Sequence, residues 1–127
     1  VKYLSSVNIF ELSEKKIIDP VVYKRAKHVI TENNRVLEAK NCLLESNIEK
    51  FGKLMNESHT SYSKDFEAST EDVNIITQKS LDSGAVGSRL TGGGFGGFTV
   101  SLINKNNYEK WYGKMKKFYS EDKIFEI

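Results

Sequence analysis

Apolar residues recur at three- and four-residue spacing from about residue 20 to residue 81, and the period then drops to two. Val22, Ala26, Val29, Ile30, Asn33, Val36, Leu37 and Leu44 share one helical stripe, which predicts a long helix with a continuous buried face through about residue 45. Asp19 suits the N-cap of that helix and Pro20 its first position, where the missing N–H is no loss. Ser46, with Glu49 three residues on, has the form of a capping box. It predicts a second helix with Ile48, Phe51, Leu54, Met55 and Ser58 on its inner face, ending near His59 in the polar, loop-like SHTSYSKDFEAS. Ser69 or Thr70 caps a third helix, Glu71 and Asp72 lie in its positive first turn, and Val73, Ile76 and Leu81 form its buried edge. Gly84 is its stop. Residues 1–16 show no strong period and read as a loop with one helical turn.

The alternations Val86/Ser88/Leu90 and Phe98/Val100/Leu102 are strand patterns on either side of a six-residue run that holds five glycines. After NKNN, a fourth helix capped near Asn107 carries Tyr108, Trp111, Tyr112, Met115, Phe118 and Tyr119 on one face, and Ile124, Phe125 and Ile127 would make a closing strand. Three helices, two strands, a helix and a strand predict an α+β fold, an antiparallel sheet covered on one face by helices. The 127 residues are enough for one domain with its own core.

The glycine run, Gly92, Gly93, Gly94, Phe95, Gly96 and Gly97, admits two readings. It is a tight connection between two strands, or it is a loop whose bare amides converge on an anion such as a phosphate. It contains GxGxxG, but the glycines lead into a strand instead of opening a helix, so a dinucleotide fingerprint is excluded. A Walker loop is excluded as well, since no Gly-Lys-Ser/Thr follows.

Charge narrows the function classes. With 28% charged residues, a net charge of +2 and dispersed lysines, the chain has no footprint for nucleic acid; Lys114, Lys116 and Lys117 read as the wet side of a helix. No stretch is apolar enough to span a membrane, and no signal peptide is visible. The single cysteine, Cys42, lies in an apolar helical run as a small core residue, and the chain reads as intracellular. Arg25, His28, Glu32 and Arg35 line up on the first helix as a structural ion-pair stripe; His59 has no metal-ligand spacing around it and reads as a hydrogen-bonded structural histidine. The chain does not start with Met, which suggests a piece of a longer protein.

GSRLTGGGFGGFTVSLI resembles the third signature motif of galactokinases, members of the GHMP small-molecule kinases. PVVYKRAKHVITENNRV, FGKLMNESH and DFEAS resemble the segments that precede it in galactokinase C-terminal domains, in the same order, so the resemblance covers nearly the whole chain. It implies a ferredoxin-like, helix-covered antiparallel sheet spanning 1–127. It also implies a cytoplasmic, ATP- and Mg-dependent kinase that makes galactose 1-phosphate, with the catalytic groups, the Ser-rich phosphate loop and the metal ligands in an N-terminal domain that partners this one. Carried over to this chain are Thr91, Gly92, Gly93, Gly94, Phe95, Gly96 and Gly97, with Ser88 and Arg89 on the entering strand, as the residues beside the ATP phosphates. The chain departs from the family at Phe98, where a small residue is usual, and at Glu71, Asp72, Val73 and Asn74, where Pro-Glu-Leu-Asp is common. Three alternatives stay open: a non-catalytic sugar and ATP sensor, a kinase for a related sugar such as N-acetylgalactosamine or arabinose, and a structural domain whose glycines only make turns. The expectation also includes self-association of the chain when it is separated from its partner domain.

Overall fold

The computed structural model describes residue 8 and residues 19–92 and 97–127. Its elements are α1 (Pro20–Leu44), α2 (Ile48–Lys64), α3 (Glu71–Asp82), β1 (Gly87–Thr91), β2 (Phe98–Leu102) and α4 (Tyr108–Met115), with short 3-10 turns at Lys105–Asn107 and Glu121–Lys123. The fold is α+β, as the element order predicts. The loop expected at residues 1–16 lies outside the described residues.

Asp19 caps α1, its carboxylate accepting from the N–H groups of Val21 at 3.0 Å and Val22 at 3.2 Å. The junction between α1 and α2 differs from the predicted capping box. Ser46 takes a left-handed φ of 55° and closes the end of α1: its N–H donates to Leu43 O, and the Asn47 N–H donates to Cys42 O. A residue in that conformation cannot also serve as an extended N-cap, so Asn47 caps α2 by accepting from the Lys50 N–H at 3.1 Å.

Of the buried face predicted for α1, Ala26 and Ile30 are buried as expected, and the remainder is corrected. Val22, Val36, Leu37 and Leu44 are exposed, Leu44 by 77%. The side of α1 that meets α2 is the polar stripe: Arg25 donates to Asp65 O, His28 Nδ1 meets Ser61 Oγ at 2.7 Å, and Glu32 Oε1 accepts from Ser58 Oγ at 2.7 Å. Cys42 follows at the same pitch and is 2% exposed. These partners also explain why α2 runs on to Lys64 instead of ending near His59. Ser58, His59 and Ser61 are buried at helical spacing, so the period is intact and only its side chains are polar.

Thr70 caps α3, and Gly84 ends it with φ 116° as the Gly84 N–H donates to Leu81 O and the Ala85 N–H to Ser80 O. β1 and β2 pair antiparallel with Gly87 opposite Leu102 and Thr91 opposite Phe98. The closing strand expected at Ile124, Phe125 and Ile127 is not formed. The chain makes a 3-10 turn at Glu121–Lys123 and then runs without a ladder partner, Phe125 and Ile127 exposed, so the sheet among the described residues has two strands. Of the aromatic face of α4, Trp111 is buried with Met115, whereas Phe118 lies beyond the helix and is exposed.

Candidate functional site

The hairpin β1–β2 is held on three sides. One edge of β1 pairs with β2, and the other lies along α2, whose side chains take the place of a third strand. Asn56 Nδ2 donates to Val86 O at 3.3 Å, Asn56 Oδ1 accepts from the Ser88 N–H at 2.9 Å, and His59 Nδ1 accepts from the Leu90 N–H at 3.1 Å. Two alternate N–H groups of an otherwise open strand edge are thereby satisfied within the chain. From the third side, α3 and α4 reach the hairpin through a chain of hydroxyls. Trp111 Nε1 donates to Ser80 Oγ at 3.0 Å, Ser80 Oγ meets Ser101 Oγ at 2.7 Å, and Ser101 Oγ meets Ser88 Oγ at 2.9 Å.

The site residues expected on the entering strand therefore have different surroundings. Ser88 is 1% exposed and its hydroxyl is engaged with Ser101 inside the fold. Arg89 is half-buried: its guanidinium lies 3.7 Å from Glu32 Oε1 and 5.2 Å from the Tyr62 ring centre, and its Nε donates to Leu90 O at 2.8 Å. Glu32 also binds Arg35, at 3.0 Å, so one carboxylate on α1 serves Arg35, Ser58 and Arg89. Thr91 and Gly92 are exposed at the open end of the hairpin, as are Gly97 and Phe98. Gly92 has φ 83° and Gly97 φ 100°, and among the described residues nothing lies within 4 Å of where a Cβ would stand on either. Gly93, Gly94, Phe95 and Gly96 lie outside the described residues.

Of the two histidines, His59 stands against β1 and His28 against α2. His59 Nε2 lies 2.8 Å from Asn74 Oδ1, and the Asn74 amide is oriented by donating to Ser63 Oγ at 3.1 Å. Burial holds the His59 pKa below its ordinary value of 6.5, opposed by the bond to Asn74 and reinforced by the charge on Arg89. Burial likewise lowers that of His28, whose ring meets Tyr62 edge-on and Phe66 at a tilt. His59 is the hydrogen-bonded structural histidine that the sequence leads one to expect. Asn56, the other residue that braces β1, is not singled out by pattern reading, because a polar residue on a helix gives no periodic signal unless the strand it serves is already in place. Among the described residues, no three His, Cys, Asp or Glu side chains converge to hold a metal, and no helix is long and apolar enough to cross a membrane.

Residues 39–121, from the end of α1 through the turn after α4, match the family described as GHMP kinases C terminal. The chain belongs to this family. Among curated GHMP kinase relatives, it is 40% identical over 113 residues to the galactokinase of Clostridium acetobutylicum, covering 88% of this chain and 29% of that protein. It is 42% identical over 87 residues to the galactokinase of Mycobacterium bovis, covering 68% of this chain and 24% of that one. The chain spans 29%, 35% and 30% of the length of three such relatives. Its fold superposes on Lactococcus lactis galactokinase complexed with galactose with a TM-score of 0.84 at 29% identity, over 96% of this chain and 32% of that one. It also superposes on L. major mevalonate kinase in complex with R-mevalonate, with a TM-score of 0.69 at 24% identity over 98% of this chain and 37% of that one, a likeness of fold alone.

Proposed function

We propose that this GHMP kinase segment is the C-terminal domain of a galactokinase, and that the loop from Thr91 to Gly97 lies against the ATP phosphates during transfer to the anomeric hydroxyl of galactose. The observation that carries the reading is the braced hairpin. A strand pair tied on one edge by Asn56 and His59, and from beneath by Ser80, leads into the glycine run through Gly92 and Gly97, both exposed and left-handed. Phosphoryl transfer asks a protein for positioning and charge stabilisation more than for covalent chemistry, and backbone amides on a rigid stem supply both. The relatives named galactokinase, at 38 to 42% identity, support galactose as the acceptor.

In this reading the described residues hold and aim the loop, and ATP is the phosphoryl donor. Arg89 is held back from the loop by Glu32 and Tyr62, which suits a charge that shapes the field around the phosphates. The described residues offer no acidic cluster for Mg²⁺, so no step is assigned to a metal on this chain. The base and the metal ligands would come from the rest of the kinase.

The test is a coupled assay of ADP release with galactose, run on the whole protein and on residues 1–127 alone. Galactose-dependent turnover by the whole protein and none by the shorter chain is expected. Absence of turnover with galactose, together with turnover on N-acetylgalactosamine or arabinose, would move the assignment to a related sugar. Binding of ATP and galactose without turnover would make the protein a sensor.

A further inference from the structure

His59 sits where the scaffold of the loop depends on a single proton. Its Nδ1 accepts from the backbone N–H of Leu90, a residue 1% exposed and two positions before Gly92, where the chain turns left-handed into the loop. An N–H donor on that side requires Nδ1 to be bare. The proton of the neutral ring must then be on Nε2, where Asn74 Oδ1 receives it at 2.8 Å. A reversed Asn74 amide would put a donor against Nε2 while the Leu90 N–H already faces Nδ1, leaving the ring proton no acceptor; with Oδ1 toward the ring, Asn74 Nδ2 donates to Ser63 Oγ and Oδ1 also accepts from Ser69 Oγ at 2.8 Å. Every hydrogen-bonding atom of the ring is used, and in one tautomer only.

A second proton turns Nδ1 into a donor that faces another donor. The bond to Leu90 is then lost, while the bond to Asn74 persists. The neighbouring groups do not offer an alternative. Arg89, on β1, is the charged group that acts on His59, and it opposes protonation; Asn74 on α3, Ser69 before it and Ser63 on α2 are neutral. Glu32 on α1, the carboxylate beside Arg89, is occupied by Arg35, Ser58 and Arg89.

We propose that His59 is a positioning residue of the phosphate loop, holding β1 at Leu90 through its neutral Nε2–H form and releasing it on protonation. The proposal rests on the reading of the loop as a phosphate site. The consequence is a nucleotide affinity that weakens in acid through a residue that touches neither nucleotide nor sugar.

The experiment uses the whole protein with ¹⁵N-labelled histidine and leucine, titrated by NMR while the nucleotide KM is measured at each pH. At neutral pH the His59 ring nitrogens should show the Nε2–H tautomer. As the ring titrates, the Leu90 amide resonance should move with the same midpoint, below that of an exposed histidine, and the KM for ATP should rise about tenfold with little change in kcat. His59→Asn keeps an acceptor near the Leu90 N–H and cannot titrate, so it should hold the neutral-pH KM and remove the acid step. His59→Leu should show the raised KM at all pH values. A Leu90 amide that ignores the ring's titration, an Nδ1–H tautomer, or an acid step in KM that persists in His59→Asn would overturn the proposal. The two NMR observations need no turnover, so a protein that binds no ATP would defeat the loop assignment while the link between His59 and Leu90 is still decided.

Discussion

Gly52 of α2 and Gly87 of β1 lie back to back: a Cβ on Gly87 would stand 2.7 Å from Gly52 Cα and 2.6 Å from Gly52 O. A Cβ on Gly52 would in turn stand 2.6 Å from Val86 O and would also meet Val86 Cγ1. This is how α2 comes close enough for Asn56 and His59 to reach the strand edge. Ala in place of a mid-helix Gly ordinarily stabilises by up to about 1 kcal/mol, but here the obstruction is backbone, which cannot rotate aside. Gly52→Ala is expected to lower the unfolding free energy by about 1 to 3 kcal/mol, measured by urea denaturation. A gain in stability would mean that helix and strand are not in contact.

The hydroxyl chain gives a prediction of order. Ser101 serves both Ser80 and Ser88, each 1% exposed, so Ser101→Ala takes a partner from two buried hydroxyls, of which Ser80 keeps the Trp111 N–H. Ser88→Ala leaves the link from Trp111 through Ser80 to Ser101 in place. The first should cost about 1 to 3 kcal/mol and the second about 1 kcal/mol or less, by thermal or urea unfolding. Equal costs would argue against the chain.

How far the sequence could be read follows from the same residues. Asp19 and Pro20, Thr70 and Gly84 carry local signals whose meaning does not depend on distant partners, and the structure uses each as predicted. The α1–α2 interface was legible only in part: Ala26 and Ile30 of the apolar stripe are buried, but the contacts with α2 fall on His28, Glu32, Ser58 and Ser61, and the stripe's other members Val22, Val36, Leu37 and Leu44 are exposed. Ser46 was misread for a related reason: Ser suits an N-cap, yet the end of the preceding helix had already claimed it. Of the site, the exposed Thr91 and Gly92 stood out by composition. Of the bracing residues, His59 read as a hydrogen-bonded structural histidine and Asn56 did not stand out, since nothing in a helix states which strand its imidazole and amide will meet.

Acid should weaken the fold through both histidines. Each is held below the ordinary value of 6.5, chiefly by burial, so between that value and the folded one the unfolded chain binds more protons than the folded chain. Stability is therefore full above about pH 6.5, falls as pH drops through that value, and stops falling on their account once the folded rings are protonated. Urea midpoints measured from pH 8 to pH 5 should show the decline, and His28→Gln or His59→Asn should each make it shallower. An unchanged slope in both variants would remove the histidines as its source.

The exposed apolar residues of α1, Val36, Leu37, Leu43 and Leu44, lie near its C-terminal end, and Phe98 is 69% exposed beside the loop. Among the described residues nothing covers them, and a net charge of +2 gives little repulsion between copies. Residues 1–127 produced alone are expected to self-associate as concentration rises, seen as an increasing weight-average mass in sedimentation. Leu37→Lys with Leu44→Lys should shift that curve toward monomer, whereas an unshifted curve would place the contact elsewhere.

Two glycines separate the cost of a conformation from the cost of a missing amide surface. Gly113, in α4, has open space where a Cβ would stand and no left-handed φ, so Gly113→Ala should raise stability by about 0.5 to 1 kcal/mol without touching the kinetics. Gly92 has the same open space but a φ of 83°. Gly92→Val therefore meets no clash among the described residues, and its penalty there is the strain of a branched residue in the left-handed region, about 1 to 2 kcal/mol. If the chain relieves that strain by turning Gly92 out of its conformation, the N–H groups that follow it leave the positions from which they would meet a phosphate. In the whole kinase, Gly92→Val should thus unfold at a slightly lower urea concentration and bind ATP about tenfold or more weakly. The ratio of the two effects is the informative quantity. A small loss of stability with a large loss of nucleotide affinity means that the glycine serves the ligand, and a loss of stability with unchanged affinity means that it serves only the turn.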